Sequence, residues 1–168
     1  MNNDDQFQAR IQTPFATLGV LTDHEALLGI RFLPCSVSQK TPRANDRIAQ
    51  LVCAQLMQYL LHGDFSFDLP IKLIGTPHEL AVWAAMREIS AGATDTYGNL
   101  AARVGSSPRA VGTACGRNPV PVIIACHRVV AANGLGGFMG GKRSESMSIK
   151  QWLLRHESTS DRAEFALQ

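Results

Sequence analysis

Thr96-Tyr97-Gly98-Asn99-Leu100-Ala101-Ala102-Arg103-Val104-Gly105-Ser106-Ser107-Pro108-Arg109-Ala110-Val111-Gly112-Thr113-Ala114-Cys115-Gly116-Arg117 reads as two short helices joined by a tight turn. Thr96 can cap a helix from Tyr97 to Val104 that stops at Gly105, and Ser107-Pro108 restarts a second one through about Arg117. Two helices so joined predict a helix-turn-helix. The second is unusual, because very small residues fill it between two arginines. Recognition helices that read the major groove carry long polar side chains. A smooth helix suits close approach to a narrow groove through backbone and phosphate contacts. Arg109, Ala110, Gly112, Thr113, Ala114 and Arg117, with Thr96 and Ser107 at the caps, are therefore the candidate DNA-contacting residues.

Upstream, Thr76-Pro77-His78-Glu79 is a capping box with proline at the first helical position, and predicts a helix over 77–89 with Leu80, Trp83 and Ala84 as its apolar stripe. Downstream, the apolar run Asn118-Pro119-Val120-Pro121-Val122-Ile123-Ile124-Ala125-Cys126-His127-Arg128-Val129-Val130 reads as a buried strand finishing at a cysteine. Thiolate is the nucleophilic form, and a basic neighbour lowers a thiol pKa from its free value of about 8.5. Cys126 beside His127 and Arg128 is thus a candidate nucleophile with an ionised, accessible sulfur, and Arg128 is expected to tie the strand end to neighbouring carbonyls. The loop from Asn133 to Gly141 is glycine-rich, which permits positive φ and close backbone approach to a ligand. It lacks the Lys-Ser/Thr ending of a phosphate loop, which argues against nucleotide binding. Ile149, Trp152, Leu153 and His156 share one face of a terminal helix that can bring Glu157 to the core. Cysteine, histidine and carboxylate then form a chain in which a base activates a thiol and is itself held by an acid.

The first half reads differently. Phe7–Thr13, Thr17–Thr22 and Leu27–Phe32 predict a small antiparallel sheet, and Ile48, Leu51, Val52, Leu56, Tyr59 and Leu60 recur at helical spacing over 46–61. Residues 63–74 read as a linker wrapped against the surface. The expected fold class is α+β, with a sheet-and-helix domain at 1–74, a mainly helical domain at 75–158 and a mobile polar tail at 159–168. The net charge of +2 is too small to announce a nucleic-acid partner. Its distribution says more: residues 75–157 hold nine Lys/Arg against five Asp/Glu. No basic-then-apolar leader and no membrane-length apolar run occurs, which points to a cytoplasmic protein. Four cysteines at irregular spacing indicate neither a disulfide framework nor a zinc site, and no metal or cofactor is expected. Cys35, Cys53 and Cys115, with His24, His62 and His78, are read as structural.

Taken in order, Tyr97-Gly98-x-Leu100-Ala101, Arg109-Ala110-Val111-Gly112, Gly116-Arg117-Asn118-Pro119, Cys126-His127-Arg128-Val129 and Trp152-Leu153-Leu154-x-His156-Glu157 make a pattern that resembles the O6-alkylguanine-DNA alkyltransferases. The N-terminal Thr13-Pro14-Phe15-x-Thr17-Leu18-Gly19 resembles that family more loosely. The resemblance implies a ribonuclease H-like N-terminal domain and a monomeric repair protein acting from the minor groove of duplex DNA that contains O6-alkylguanine or O4-alkylthymine. Cys126 would keep the alkyl group in a single turnover. His127 would take the thiol proton through a bridging water, Glu157 would orient His127, and Asn118 would hold the turn. Tyr97 would share a proton with guanine N3, and Arg109 would fill the gap left by the flipped base. The pocket would comprise Tyr97, Pro121, the Cys126 and Val129 carbonyls, and Phe138, Met139 and Gly140 with the amides of that loop. Two departures stand out: Ala125 replaces the proline usual before the cysteine, and Phe138 and Met139 replace smaller or more polar residues. A lesion-binding helix-turn-helix protein without chemistry, and a cysteine hydrolase acting on a small substrate, are the competing classes.

Overall fold

The computed structural model describes residues 6–140 and 144–158; the tail expected at 159–168 lies outside them. The chain divides into two compact units, at 1–73 and 74–168. In the first, β1 (Ala9–Gln12), β2 (Thr17–Thr22) and β3 (Leu27–Leu33) form an antiparallel sheet in sequence order. Ile11 faces Leu18 and Val20 faces Ile30 across the ladders, so the alternating apolar positions stack on one face. Helix α1 (Arg47–Leu61) covers that face with Ala49, Val52, Leu56 and Tyr59, and Asp46 caps it by accepting the Ala49 amide. Leu51, expected in this stripe, is instead exposed. The segment read as a linker is tied down: Leu27 donates to the Pro70 carbonyl and Lys72 to the Leu27 carbonyl, while Gln55 pairs with the Asp68 backbone in both directions.

The second unit is built on α2 (Pro77–Arg87), α3 (Tyr97–Val104), α4 (Pro108–Gly116) and α5 (Ser144–Glu157). Thr76 and Glu79 form the reciprocal capping box that the sequence implies. The buried stripe of α2 is Val82, Trp83, Ala85 and Met86, not Leu80 and Ala84. Trp83 is the hub. Its indole donates to the Ala114 carbonyl at 2.9 Å, which joins α2 to α4 through a buried hydrogen bond. Thr96 and Ser107 cap α3 and α4 by accepting from Asn99 and Ala110, and Gly105 turns between the helices in the left-handed region. Asp95–Thr96 (β4) pairs in parallel with Val129–Val130 (β5), so the start of the helix-turn-helix is stitched directly to the chain after Cys126. Among the described residues, no helix is long and apolar enough to cross a membrane.

Candidate active site

The run from Asn118 to Arg128 is not a strand. Prolines 119 and 121 remove two amide donors, and the chain instead makes a buried turn closed by Ile124 donating to the Val120 carbonyl. Ala125 then sits at φ −80, ψ 66, the centre of an inverse γ-turn in which Cys126 donates to the Ile124 carbonyl at 2.8 Å. Cys126–Arg128 form a single 3-10 turn, and only Val129–Val130 is strand. Asn118 holds this segment from inside. Its Nδ2 donates to the Ile124 carbonyl at 2.7 Å and its Oδ1 accepts from Val120 at 3.0 Å. These bonds support Val122, a β-branched residue held at φ 74, a conformation that persists only where its surroundings impose it.

A tight turn sends consecutive side chains in different directions, so the groups beside Cys126 in sequence do not act as simple basic neighbours. His127 is fully buried and its Nε2 lies 2.7 Å from Glu157 Oε1. Arg128 grips the same carboxylate with two bonds, Nε to Oε2 and a terminal nitrogen to Oε1, both 2.9 Å, and spends its remaining arm on the Ile89 carbonyl. The expected role of Arg128 as a carbonyl tie is therefore only part of its work. Burial pushes Glu157 up, but hydrogen bonds from His127 and Arg128 outweigh it and bring the pKa down to about 2. Burial holds His127 below its usual value, against the opposing pull of Glu157. A neutral imidazole facing an ionised carboxylate must carry its proton on Nε2. Nδ1 is then an electron pair, and it has no hydrogen-bond partner among the described residues.

Cys126 itself is 3% exposed, and burial raises its thiol pKa to about 11 despite the lowering effects of Asn118, Lys150 and local amides. The ionised sulfur expected from its basic neighbours is not what its surroundings favour, since burial holds the thiol above its free value, although Cys126 still lines the cavity. The cation acting on it is Lys150, which sequence reasoning did not single out. On α5, Lys150 lies one turn before Leu153 and is fully buried, with Nζ donating to the Val129, Leu135 and Gly137 carbonyls at 2.6, 2.6 and 2.9 Å. Burial lowers its pKa to about 8. The i, i+3, i+7 series Lys150, Leu153, Glu157 is the signal that was available, a lysine on the buried face of an amphipathic helix.

A cavity of about 1000 Å³ opens over Cys126. One wall is the α4 face Arg109, Gly112, Thr113 and Gly116; the others are Tyr97, Cys115 and the loop Gly137–Gly140. Tyr97 donates to the Gly137 carbonyl at 3.2 Å, and burial raises its pKa to about 12. The glycines are spatially required here. A Cβ on Gly136 would meet the Tyr97 ring at 2.8 Å, and one on Gly116 would meet the Gly140 backbone at 3.0 Å. Of the expected pocket residues, Tyr97, Phe138, Met139 and Gly140 line the cavity. Pro121 and Val129 do not; Pro121 is buried in the turn and Val129 is buried in β5, with its carbonyl taken by Lys150. Of the expected DNA-contacting residues, Arg109, Gly112, Thr113 and Arg117 border the cavity, whereas Ala114 is buried against α2 with its carbonyl held by Trp83. Ala110 is half-buried, and Thr96 and Ser107 act as helix caps. Among the described residues there is no cluster of His, Cys, Asp and Glu fit to hold a metal.

Fold and site together define a helix-turn-helix protein with a buried cysteine, backed by a histidine–glutamate pair, in the cavity beside its second helix. Residues 77–159 match the family described as 6-O-methylguanine DNA methyltransferase, DNA binding domain. The chain is 33% identical over 159 residues to the methylated-DNA–protein-cysteine methyltransferase of Methanosarcina acetivorans, covering 91% of this chain and 99% of that one. It superposes with a TM-score of 0.74 on Mycobacterium tuberculosis OGT in complex with DNA, at 32% identity over 89% of this chain and 91% of the other. The Methanococcus jannaschii O6-methylguanine DNA methyltransferase gives 0.61 at 29% identity, over 89% and 93%. The chain belongs to the methylated-DNA–protein-cysteine methyltransferase family.

Three outcomes follow from this geometry. Ala125 already has a φ close to that of proline, and its amide makes no hydrogen bond among the described residues; Ala125→Pro therefore raises stability by about 0.4–1 kcal/mol, read by chemical denaturation. Lys150→Met leaves three buried carbonyls without their cation, lowering stability by about 3 kcal/mol or more and moving the pH dependence of Cys126 alkylation by iodoacetamide upward. Acid stability depends on the His–Glu pair. Both groups have depressed folded pKa values, so their stabilisation is complete above the unfolded His value of 6.5 and is lost as pH falls, with the Glu157 part disappearing between 4.5 and about 2. Melting temperature against pH should fall through this window, and Glu157→Gln should flatten the lower part.

Proposed function

We propose that Cys126 accepts the alkyl group of O6-alkylguanine, and also of O4-alkylthymine, in duplex DNA, once per protein molecule. Family membership makes the reaction a direct repair of alkylated DNA by transfer to a protein cysteine. The observation that carries the assignment of residues is the hydrogen-bonded pair His127–Glu157 behind Cys126, with the free electron pair of His127 Nδ1 left over as a base. The thiol proton passes to Nδ1 through a water as Sγ attacks the alkyl carbon. The S–C bond forms, the C–O6 bond breaks, and guanine leaves with one proton gained. Tyr97, kept protonated by its raised pKa of about 12, shares its hydroxyl proton with N3 as charge builds there, and the proton taken up by His127 returns through solvent so that both side chains end as they began. Burial pushes the Cys126 thiol up to about 11, so in this reading the proton leaves only when the base is engaged during transfer. Stray electrophiles then meet a thiol and not a thiolate.

The target base is flipped into the cavity, at a cost of a few kcal/mol that is smaller for a damaged pair. Arg109, exposed at the cavity rim in the first turn of α4, takes its place in the stack. The small residues Gly112, Thr113 and Gly116 let α4 lie against a minor groove, and Arg117 meets phosphate. All the catalytic groups come from one chain, which supports action as a monomer. Four free cysteines support a reducing, cytoplasmic site of action.

A duplex carrying O6-methylguanine with a labelled methyl group tests this reading. The expected result is label on the protein, one methyl per chain by intact mass, abolished by Cys126→Ala while DNA binding remains. Label retained on DNA would establish a lesion-binding protein without chemistry, and repeated turnover on a small substrate would establish a hydrolase.

A further inference from the structure

The first turn of α2 reaches both ends of α4 through two adjacent residues that the alkyl-transfer chemistry does not use. His78 Nε2 lies 2.8 Å from Ser106 Oγ, in the turn before α4. Glu79 Oε1 accepts from Arg117 Nη1 at 3.0 Å, just past the end of α4. Glu79 is itself a fixed point. Its other oxygen accepts the Thr76 amide at 2.9 Å in the capping box, and a Cβ on Gly75 would come within 3.1 Å of that oxygen. Hydrogen bonds from the Thr76 amide and from Arg117 also hold its carboxyl below the usual range, so it is ionised at neutral pH.

The two partners differ in exposure, and this decides which of them an approaching polyanion meets. The Glu79 side chain is 12% exposed and that of Arg117 67%, so the carboxylate lies behind and the guanidinium in front. The bond to Glu79 engages Nη1, and a planar guanidinium fork can take a second anion through its other nitrogens. An exposed arginine without such a tether loses its rotamer freedom each time it grips a phosphate, which costs part of the binding free energy. We propose that Glu79 is a positioning residue for DNA binding, a carboxylate that presets the Arg117 guanidinium at the cavity rim to take a backbone phosphate. This role rests on Arg117 being a phosphate contact, and it names what aims that contact. Its sign is opposite to simple electrostatics, because loss of an anion then weakens binding to a polyanion.

The test is binding of an unmodified duplex, which no alkyl transfer complicates, to the wild-type protein, Glu79→Gln, Arg117→Gln and the double variant over a range of salt concentrations. Glutamine can still accept the Thr76 amide, so the capping box survives the change. Glu79→Gln weakens binding by about two- to tenfold, the cost of immobilising one long side chain. It also moves the slope of log K against log salt toward that of Arg117→Gln, itself shallower by about 0.9 for one phosphate contact. Added to Arg117→Gln, it weakens binding no further. Binding that strengthens or stays unchanged in Glu79→Gln overturns the inference, since the carboxylate then does not aim Arg117. Equal weakening with and without Arg117 overturns it too, since the loss would then come from α2. If Arg117→Gln leaves affinity and slope unchanged, the phosphate contact itself falls and this role with it. Labelled methyl transfer to Cys126 decides the repair reading separately.

Discussion

The carboxylate of Glu157 is the interaction on which the site depends. It lies at the last turn of α5, accepts from His127 and takes a two-pronged grip from Arg128, so that one anion anchors two consecutive residues of the 3-10 turn. A buried carboxylate is costly unless its oxygens are fully hydrogen-bonded and its charge is opposed. Here both conditions are met, and Arg128 supplies the positive charge that allows Glu157 to remain ionised while His127 remains neutral. The tautomer of the imidazole follows, and with it the location of the basic electron pair. Without Arg128 the proton could rest between Glu157 and His127, and the base would be spent on its own support.

Burial and the groups around Cys126 act on its thiol in opposite directions. Desolvation pushes the thiol pKa up to about 11, while the hydrogen bond from Asn118, the charge of Lys150 and the local amides pull it down. Lys150 also holds the Val129, Leu135 and Gly137 carbonyls, so one buried cation both acts on the Cys126 sulfur electrostatically and pins the glycine loop to α5. The cavity walls are thus set by hydrogen bonds to backbone.

Much of the fold was legible in the chain. The three short strands, the capping box at Thr76 and Glu79, and the pair of helices broken at Gly105 rest on local rules of alternation, capping and left-handed turns that need no tertiary information. The order of Tyr97, Asn118, Cys126, His127 and Glu157 likewise pointed to the chemistry. The strand expected through Cys126 failed for a local reason too, because a buried apolar run does not reveal whether its amides are paired in a ladder, and two prolines had already removed two of them.

Sequence alone determined which residue types could serve as nucleophile, base and acid, and that a smooth helix between two arginines would sit beside them, because these follow from chemistry and from spacing along one helix or turn. Only the tertiary structure decided that Arg128 belongs to Glu157, that Lys150 is the cation of the site, that Ala114 faces inward, and that burial raises the Cys126 thiol pKa. Those outcomes depend on which distant groups share a buried space, and the dielectric and partners of that space exist only once α4, α5 and the turn have packed together.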